Sequence, residues 1–362
     1  MAKNKEAEIE IDKYNFSFLS FLFSLSSFLH TLILSHLFLY NRDIMLVVII
    51  VLSSIVGLSL LLEALSLLIY HRFFFTSFVA FYINHFRYTP FRKSEEECYR
   101  LLNIPHEEYV IPSSIKFRCS LNKKREHNMN VYYLNEESNS NTIFIYFHGG
   151  GFYNNFDKHY WFMLQKIVKN TRCMVIAPDY PLIPDVRCDT LYPLLIEFYQ
   201  DIKKRYPDKR ITIGGDSAGG GICFVLGEQL PKEDQPDEII LLSPAIDMTI
   251  PKEDEPSFDR CIFIDKESWP AIKKMWSGKD MDDKDPLLSP IYGDFSKIKH
   301  MTVFYGDREF CYNSIERLKE KTKDYTNFEY KLYRGMYHVW VATPVYEAHK
   351  ALEEIYSTLN NI

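Results

Sequence analysis

Short apolar runs set the strongest limit on how this 362-residue chain can fold. Near-continuous apolar strands that alternate with helix-length segments are typical of a mostly parallel sheet with helices on both faces. Two earlier runs, 115–121 and 129–134, predict a hairpin whose turn is the charged segment 122–127. The predicted fold class is therefore α/β with eight strands. The six later runs are residues 143–147, 173–177, 211–213, 239–242, 301–305 and 328–332.

A glycine triplet at 149–151 directly follows the run at 143–147. Ordering glycine costs backbone entropy, so three in a row indicate a loop whose N–H groups must approach another molecule closely. A phosphate-cradling loop is one alternative, but neither GxxxxGK[ST] nor GxGxxG follows a predicted strand here. The other alternative is a loop whose N–H groups approach the oxygen of a reacting ester.

A second glycine cluster has the GxSxG form and follows the run at 211–213. Alone it also fits an ordinary glycine-rich turn between a strand and a helix. Paired with the triplet, it predicts a strand–turn–helix nucleophile elbow with Ser217 as the nucleophile. The N–H groups predicted to hold the oxyanion belong to Gly150, Gly151 and Ala218. The remaining motif residues are His148, Gly149, Gly215, Asp216 and Gly219.

A serine nucleophile needs a base, and the base needs an orienting carboxylate. His338 follows the last predicted strand, as the chain order Ser, acid, His requires. Both Asp307 and Glu309 follow the preceding strand. Two residues separate them, so in an extended segment their side chains point the same way, and alternation cannot choose between them.

Charge-free stretches near the N-terminus predict a membrane anchor in residues 1–70. Residues 16–40 and 44–62 contain no Asp, Glu, Lys or Arg, and a span needs about 20 residues. They predict two transmembrane helices joined by a tight turn at 41–43. Alternatively, only the second crosses and the first is a buried or interfacial helix. Residues 64–86 are typical of a membrane-surface helix or a hydrophobic cover.

The overall composition argues against several other classes of protein. A formal net charge of −6 gives no indication of nucleic-acid binding. The seven cysteines form no CxxC pair, and no HExxH or EF-hand spacing occurs, so no structural metal is predicted. No cofactor is expected.

These motifs resemble those of the hormone-sensitive-lipase-type serine esterases of the α/β-hydrolase fold. The resemblance rests on HGGGF at 148–152, GDSAGG at 215–220, DPLLSP at 285–290 and the segment 178–185, and it extends from about residue 115 to the C-terminus. It implies a helical cap at 71–114 over a catalytic domain at 115–362. The family's spacing favours Glu309 as the acid, with Asp307 as the alternative.

The resemblance implies a serine carboxylic-ester hydrolase that acts on small apolar esters with a short, acetyl-type acyl group. The membrane segments are similar in arrangement to those of membrane-anchored deacetylating members, so membrane lipid is an expected partner. The expected location is a membrane, that of the endoplasmic reticulum in a eukaryote or the cytoplasmic membrane in a bacterium. A general detoxifying carboxylesterase or lipase, and a non-catalytic ligand-binding receptor on the same fold, are the alternatives. The oligomeric state is left open.

Overall fold

The computed structural model describes residues 42–86, 91–278 and 280–361. They divide into two compact units, one ending at Phe74 and the other beginning at Phe75. The predicted boundaries between anchor, cap and catalytic domain, near residues 70 and 114, stay a prediction.

Helix α1 (Arg42–Tyr70) forms most of what is described of the first unit. Its segment Val47–Tyr70 is the one helix in the described residues long and apolar enough to cross a membrane, with a mean hydropathy of 2.5. Many of its apolar side chains are exposed, as at Leu58 and Leu68. The predicted first span at 16–40 lies outside the described residues.

The predicted limits of the second apolar stretch need correction. Arg42 and Asp43, predicted as a turn, belong to α1, and the helix continues past residue 62. Glu63 is accommodated in the helix because its carboxylate accepts a hydrogen bond from the backbone N–H of Phe74 (3.1 Å). The helix ends where His71 adopts a left-handed conformation with φ 55°. The segment 64–86 is therefore divided between two helices rather than forming one.

The second unit contains an eight-stranded sheet in the order β1-β2-β4-β3-β5-β6-β7-β8. Strand β2 pairs antiparallel with β1 and β4, and all the other pairs are parallel. This confirms the predicted eight-stranded, mostly parallel sheet. The strands are β1 (Leu121–Glu126), β2 (Met129–Leu134), β3 (Thr142–Phe147), β4 (Met174–Asp179), β5 (Arg210–Asp216), β6 (Glu238–Leu242), β7 (Met301–Arg308) and β8 (Phe328–Tyr337).

Helices cover both faces of the sheet, as predicted. Alternate residues of β3 enter different cores, because successive side chains of a strand point to opposite faces. Ile145 joins one core with Leu195 and Phe224, whereas Phe144 joins the other with Trp161. The helices are α2 (Phe74–Phe86), α3 (Glu95–Leu102), α4 (Lys158–Thr171), α5 (Cys188–Arg205), α6 (Ala218–Gln229), α7 (Glu255–Phe258), α8 (Trp269–Trp276), α9 (Tyr312–Lys321) and α10 (Tyr346–Asn361).

The structure confirms the first predicted hairpin and its second strand, 129–134, but the predicted first strand and turn were wrong. The predicted turn at 122–127 is largely the strand β1, and the predicted strand at 115–121 is irregular apart from Leu121. The chain reverses at His127 and Asn128, whose φ angles are 47° and 59°. Strand β1 lies at the edge of the sheet with a single neighbour, where lysines are common and an apolar pattern is not needed.

Candidate active site

The candidate site lies at the edge of the sheet where the parallel strands end. Strand β3 leads into the glycine triplet at 149–151, β5 into Ser217, β7 into Glu309, and β8 into His338. Ligand sites in open α/β sheets form at this carboxyl edge. The sheet topology therefore brings together Ser217 and His338, which are 121 positions apart in the chain.

Ser217 occupies a strained turn between β5 and α6. Its backbone has φ 50° and ψ −117°, a conformation that residues other than glycine rarely adopt. The flanking glycines allow the turn because the chain leaves no room for a side chain. A Cβ on Gly215 would lie 2.5 Å from the carbonyl oxygen of Phe147, and one on Gly219 would lie 2.1 Å from it.

Ser217, His338 and Glu309 form one hydrogen-bonded series. The Nε2 of His338 lies 2.8 Å from the Ser217 Oγ, and its Nδ1 lies 3.0 Å from the Oε2 of Glu309. A carboxylate can only accept, so Nδ1 carries the hydrogen and Nε2 accepts from the serine hydroxyl. The three residues are 5%, 3% and 0% exposed, so the series is almost entirely shielded from water.

The two candidate carboxylates have different partners. The Oδ1 of Asp307 accepts a hydrogen bond from the backbone N–H of Gly335 (2.7 Å). Glu309 faces His338, and its other oxygen accepts from the backbone N–H of Gly306 (2.9 Å). The pairing of β7 with β8 is irregular between Gly306 and Arg308, so simple strand alternation does not apply here.

The glycine triplet forms a tight loop beside Ser217. Gly150 and Gly151 have φ angles of 113° and 63°. The carbonyl of Gly150 accepts hydrogen bonds from the N–H groups of Tyr153 and Asn154, which turns the loop back on itself. Within the described residues, the N–H groups of Gly150, Gly151 and Ala218 donate no hydrogen bond.

The two remaining polar residues of the motifs, His148 and Asp216, are fully buried. Burial lowers the pKa of His148 to about 4, so its ring is neutral at physiological pH. The Tyr180 hydroxyl donates to the His148 carbonyl (2.5 Å), and the two rings stack at 4.5 Å. Burial also raises the pKa of Asp216, although hydrogen bonds from Tyr146, Tyr160 and Gly149 oppose that shift.

Sequence reasoning missed the tyrosines that contact these residues. Tyr146 lies within an apolar strand, and a buried tyrosine hydroxyl usually has a hydrogen-bond partner. That rule could have indicated a polar acceptor near Tyr146. Tyr160 carried no comparable signal, and the segment 178–185, although it supports the family resemblance, does not indicate what the Tyr180 hydroxyl contacts.

Aromatic side chains surround the site. Phe310 lies 4.8 Å from the His338 ring and Phe263 lies 6.2 Å from it, measured between centroids. On the other side, Phe152 stacks on Trp276 at 3.9 Å. The Phe91 ring packs so closely on Gly151 that a Cβ there would lie 2.5 Å from it. Helix α8, which contains Trp276, packs against α3.

One group of described residues has the composition of a metal site: Glu309, Cys311 and His338, whose ligand atoms lie within 4.8 Å of one another. Burial raises the pKa of Cys311 well above its usual value, and a protonated thiol is a poor metal ligand. The Nδ1 of His338 is already hydrogen-bonded to Glu309. These three residues do not fit a metal ion.

Comparisons with known proteins agree with this architecture. A family model described as the alpha/beta hydrolase fold matches residues 144–342. An esterase from Acinetobacter venetianus is 25% identical over 231 residues, which cover 61% of this chain and 76% of that protein. LipR of Mycobacterium tuberculosis, provisionally named an acetyl-hydrolase, is 25% identical over 205 residues, or 54% of this chain and 64% of that protein.

A solved structure of a hormone-sensitive lipase from a metagenome library has the same fold. It superposes with a TM-score of 0.65 at 21% identity, covering 79% of this chain and 96% of the other.

The chain belongs to the α/β-hydrolase-fold family. It is a carboxylic-ester hydrolase, as the sequence motifs predicted, and its fold is similar to that of the solved hormone-sensitive lipase.

Proposed function

We propose that the enzyme hydrolyses small apolar esters with a short acyl group, using Ser217 as nucleophile, His338 as base and Glu309 as the orienting acid. The observation that carries this proposal is the continuous series of hydrogen bonds through these three side chains, at 2.8 Å and 3.0 Å. Hydrogen-bonded contact between nucleophile, base and orienting group is what such chemistry requires.

In the proposed reaction, His338 Nε2 takes the Ser217 proton while the serine oxygen attacks the ester carbonyl carbon. The imidazolium then protonates the departing alcohol, which leaves an acyl group on the serine. A water molecule, deprotonated by the same histidine, releases the acid and restores the serine. Glu309 stabilises the positive charge on the imidazole at both stages.

The attacked carbonyl oxygen becomes an anion, and donors that are already in place stabilise it most effectively. The N–H groups of Gly150, Gly151 and Ala218 are the proposed donors. Two observations support this assignment: in the described residues these groups donate no other hydrogen bond, and their loops flank Ser217. The N–H of Ala218 also lies at the first turn of α6, where the helix dipole favours negative charge.

The surroundings of the site support a small, apolar substrate. Phe263, Phe310 and Trp269 line the side near His338, and the cap contributes Phe91. Ser217 is only 5% exposed, which favours a short acyl group over a long chain. The provisional naming of LipR as an acetyl-hydrolase agrees with that preference.

A series of p-nitrophenyl esters tests the substrate assignment on detergent-solubilised, full-length protein. We expect kcat/KM to be highest for acetate or butyrate and to fall steadily towards palmitate. A maximum at eight carbons or more would contradict the short-acyl proposal and favour a lipase.

We also propose that α1 anchors the enzyme in a membrane, with residues 1–70 as anchor, 71–114 as cap and 115–362 as catalytic domain. The length and hydropathy of Val47–Tyr70 support this. In the second unit, α2 presents Phe75 and Phe78 to solvent, and each is more than half exposed. Exposed aromatic rings on a helix are typical of a membrane interface, so lipid is the proposed partner of both helices.

Alkaline carbonate extraction of membranes that contain the full-length protein tests the anchor. Carbonate releases peripheral proteins, so a spanning helix should keep the enzyme in the pellet. Recovery of most of the enzyme in the carbonate supernatant would contradict the proposed anchor.

A further inference from the structure

A buried carboxylate joins the two glycine motifs. Asp216 ends β5 immediately before Ser217 and is fully buried. Its Oδ1 accepts hydrogen bonds from the backbone N–H of Gly149 (2.8 Å) and from the Tyr146 hydroxyl (2.6 Å). Its Oδ2 accepts from the Tyr160 hydroxyl (2.8 Å). One side chain therefore receives donors from β3, from the glycine loop that follows it and from α4.

The contact with Gly149 leaves no free space. A Cβ on Gly149 would lie 2.1 Å from the Asp216 Oδ2, so the backbone of the loop rests directly on the carboxylate. From the other side, the Tyr180 hydroxyl holds the carbonyl of the preceding His148. The loop is thus fixed just before Gly150 and Gly151, which would otherwise sample a wide range of backbone angles.

We propose that Asp216 is a positioning residue for ester hydrolysis: its carboxylate holds Gly149 and thereby sets the N–H groups of Gly150 and Gly151 relative to Ser217. This inference rests on the function proposed above and gives a role to the variable residue that precedes the serine in the GxSxG motif. Misplacing a catalytic group by about 1 Å can cost on the order of 10²-fold in rate.

The arrangement of donors indicates that hydrogen-bond acceptance, rather than negative charge, does the positioning. An asparagine at 216 could keep its Oδ1 in contact with both Gly149 and Tyr146. Its Nδ2 would face the Tyr160 oxygen, which can accept once the hydroxyl rotates. An alanine at 216 would lose all three contacts.

The test compares kcat and KM for p-nitrophenyl acetate in Asp216→Ala and Asp216→Asn. We expect kcat to fall about 10²-fold in Asp216→Ala, the size of losing one oxyanion donor, while KM changes less than about threefold. Asp216→Asn should restore kcat to within about fivefold of the wild type, because the contact to Gly149 survives. The affinity for a trifluoromethyl ketone, whose adduct carries an oxyanion, should fall in parallel with kcat in Asp216→Ala.

Glu238→Ala is the matched control. Glu238 is a buried carboxylate that accepts a hydrogen bond from Thr302 (2.9 Å) at the opposite edge of the sheet. Its loss should lower Tm without changing kcat, which separates general destabilisation from misplacement of the loop. If Asp216→Ala does not fold, Asp216→Ser replaces it, since a serine hydroxyl is one bond too short to reach Gly149.

Two results would overturn the inference: full kcat in Asp216→Ala or its serine substitute, or an asparagine variant as impaired as the alanine one. Failure of the proposed function itself has a different signature, because the wild-type serine would then not react with a fluorophosphonate at all.

Discussion

Buried carboxyl groups occur towards both edges of the sheet, but their surroundings differ. At the carboxyl edge, Glu309 accepts from His338 and Gly306, and Asp216 accepts from three donors. Towards the amino edge, near the end of α6, Glu228 is only 3% exposed, and in the described residues its carboxyl oxygens have no hydrogen-bond partner. Burial raises the pKa of Glu228 to about 9, and the nearby Asp294 adds to the shift.

The difference supports the roles proposed for Glu309 and Asp216. A carboxylate surrounded by donors can hold other groups in fixed positions, which is what a reaction needs. A buried carboxyl group without donors binds a proton and becomes neutral. It then lowers the free energy of unfolding at any pH at which the unfolded chain would release that proton. Substitutions of Glu309 and Asp216 should therefore alter turnover, whereas substitution of Glu228 should alter stability alone.

The largest effect should come from Ser217→Ala. Removing the nucleophile of such a triad can cost about 10⁶-fold in kcat, while the fold is retained because alanine has nearly the same shape. Turnover of p-nitrophenyl acetate and the Tm from circular dichroism measure the two quantities. At the amino edge, Thr302→Ala should lower Tm and leave kcat unchanged. Turnover above about 1% of wild type in a purified Ser217→Ala protein would contradict the mechanism.

The next effect separates the two carboxylates at the end of β7. Glu309→Gln should lower kcat by about 10⁴-fold, because the amide no longer fixes the His338 tautomer or stabilises the imidazolium. Asp307→Asn should mainly lower Tm, since Asp307 supports the N–H of Gly335. Steady-state kinetics at matched folded fractions measure this ranking. The reverse ranking would assign the orienting role to Asp307.

A smaller effect should appear in the pH dependence of stability, to which Glu228 contributes. Its unfolded-state pKa is near 4.5 and its folded-state pKa is about 9, so between these values the unfolded state alone releases the proton. This group therefore lowers stability by about 1.4 kcal/mol for each pH unit in that window. Glu228→Gln removes the dependence. Urea unfolding should find the two proteins similar near pH 4.5 and the variant more stable at pH 8. An equal difference between the two proteins in the free energy of unfolding at both pH values would contradict the raised pKa.

The smallest effect is expected for the surface ion pair between Lys299 and Asp237, whose charged atoms lie 3.1 Å apart. The side chains of Lys299 and Asp237 are 42% and 34% exposed, so water screens the attraction between their charges. Lys299→Gln should change the free energy of unfolding by less than about 1 kcal/mol and leave kcat unaltered. A measurable loss of turnover would mean that the amino edge also influences the site.

The sequence predicted the sheet and the approximate position of the site because both depend on strong local signals. Apolar runs marked seven of the eight strands, and glycines marked the places where the chain must turn or approach closely. The edge strand β1 gave no such signal, because a half-solvated strand can consist of charged residues. Its lysines are equally typical of a solvated turn, which is why the local pattern predicts a turn there.

Local sequence patterns could not predict the contacts that depend on tertiary packing. Alternation could not separate Asp307 from Glu309, because an irregularity in β7 and the end of the strand direct the two side chains differently. The role of Asp216 was equally hidden. Its donors lie in β3, the glycine loop and α4, 56 to 70 positions before Asp216, and only folding brings them to its carboxylate.

The central claim is that Ser217 is the nucleophile of an assembled triad, and covalent labelling tests it most directly. The full-length protein is treated with a fluorophosphonate at neutral pH, digested, and analysed by mass spectrometry. We predict a single adduct on the peptide that contains Ser217, formed in step with the loss of esterase activity and absent from Ser217→Ala. Loss of activity with the adduct on another residue, or full activity with Ser217 modified, would contradict the account.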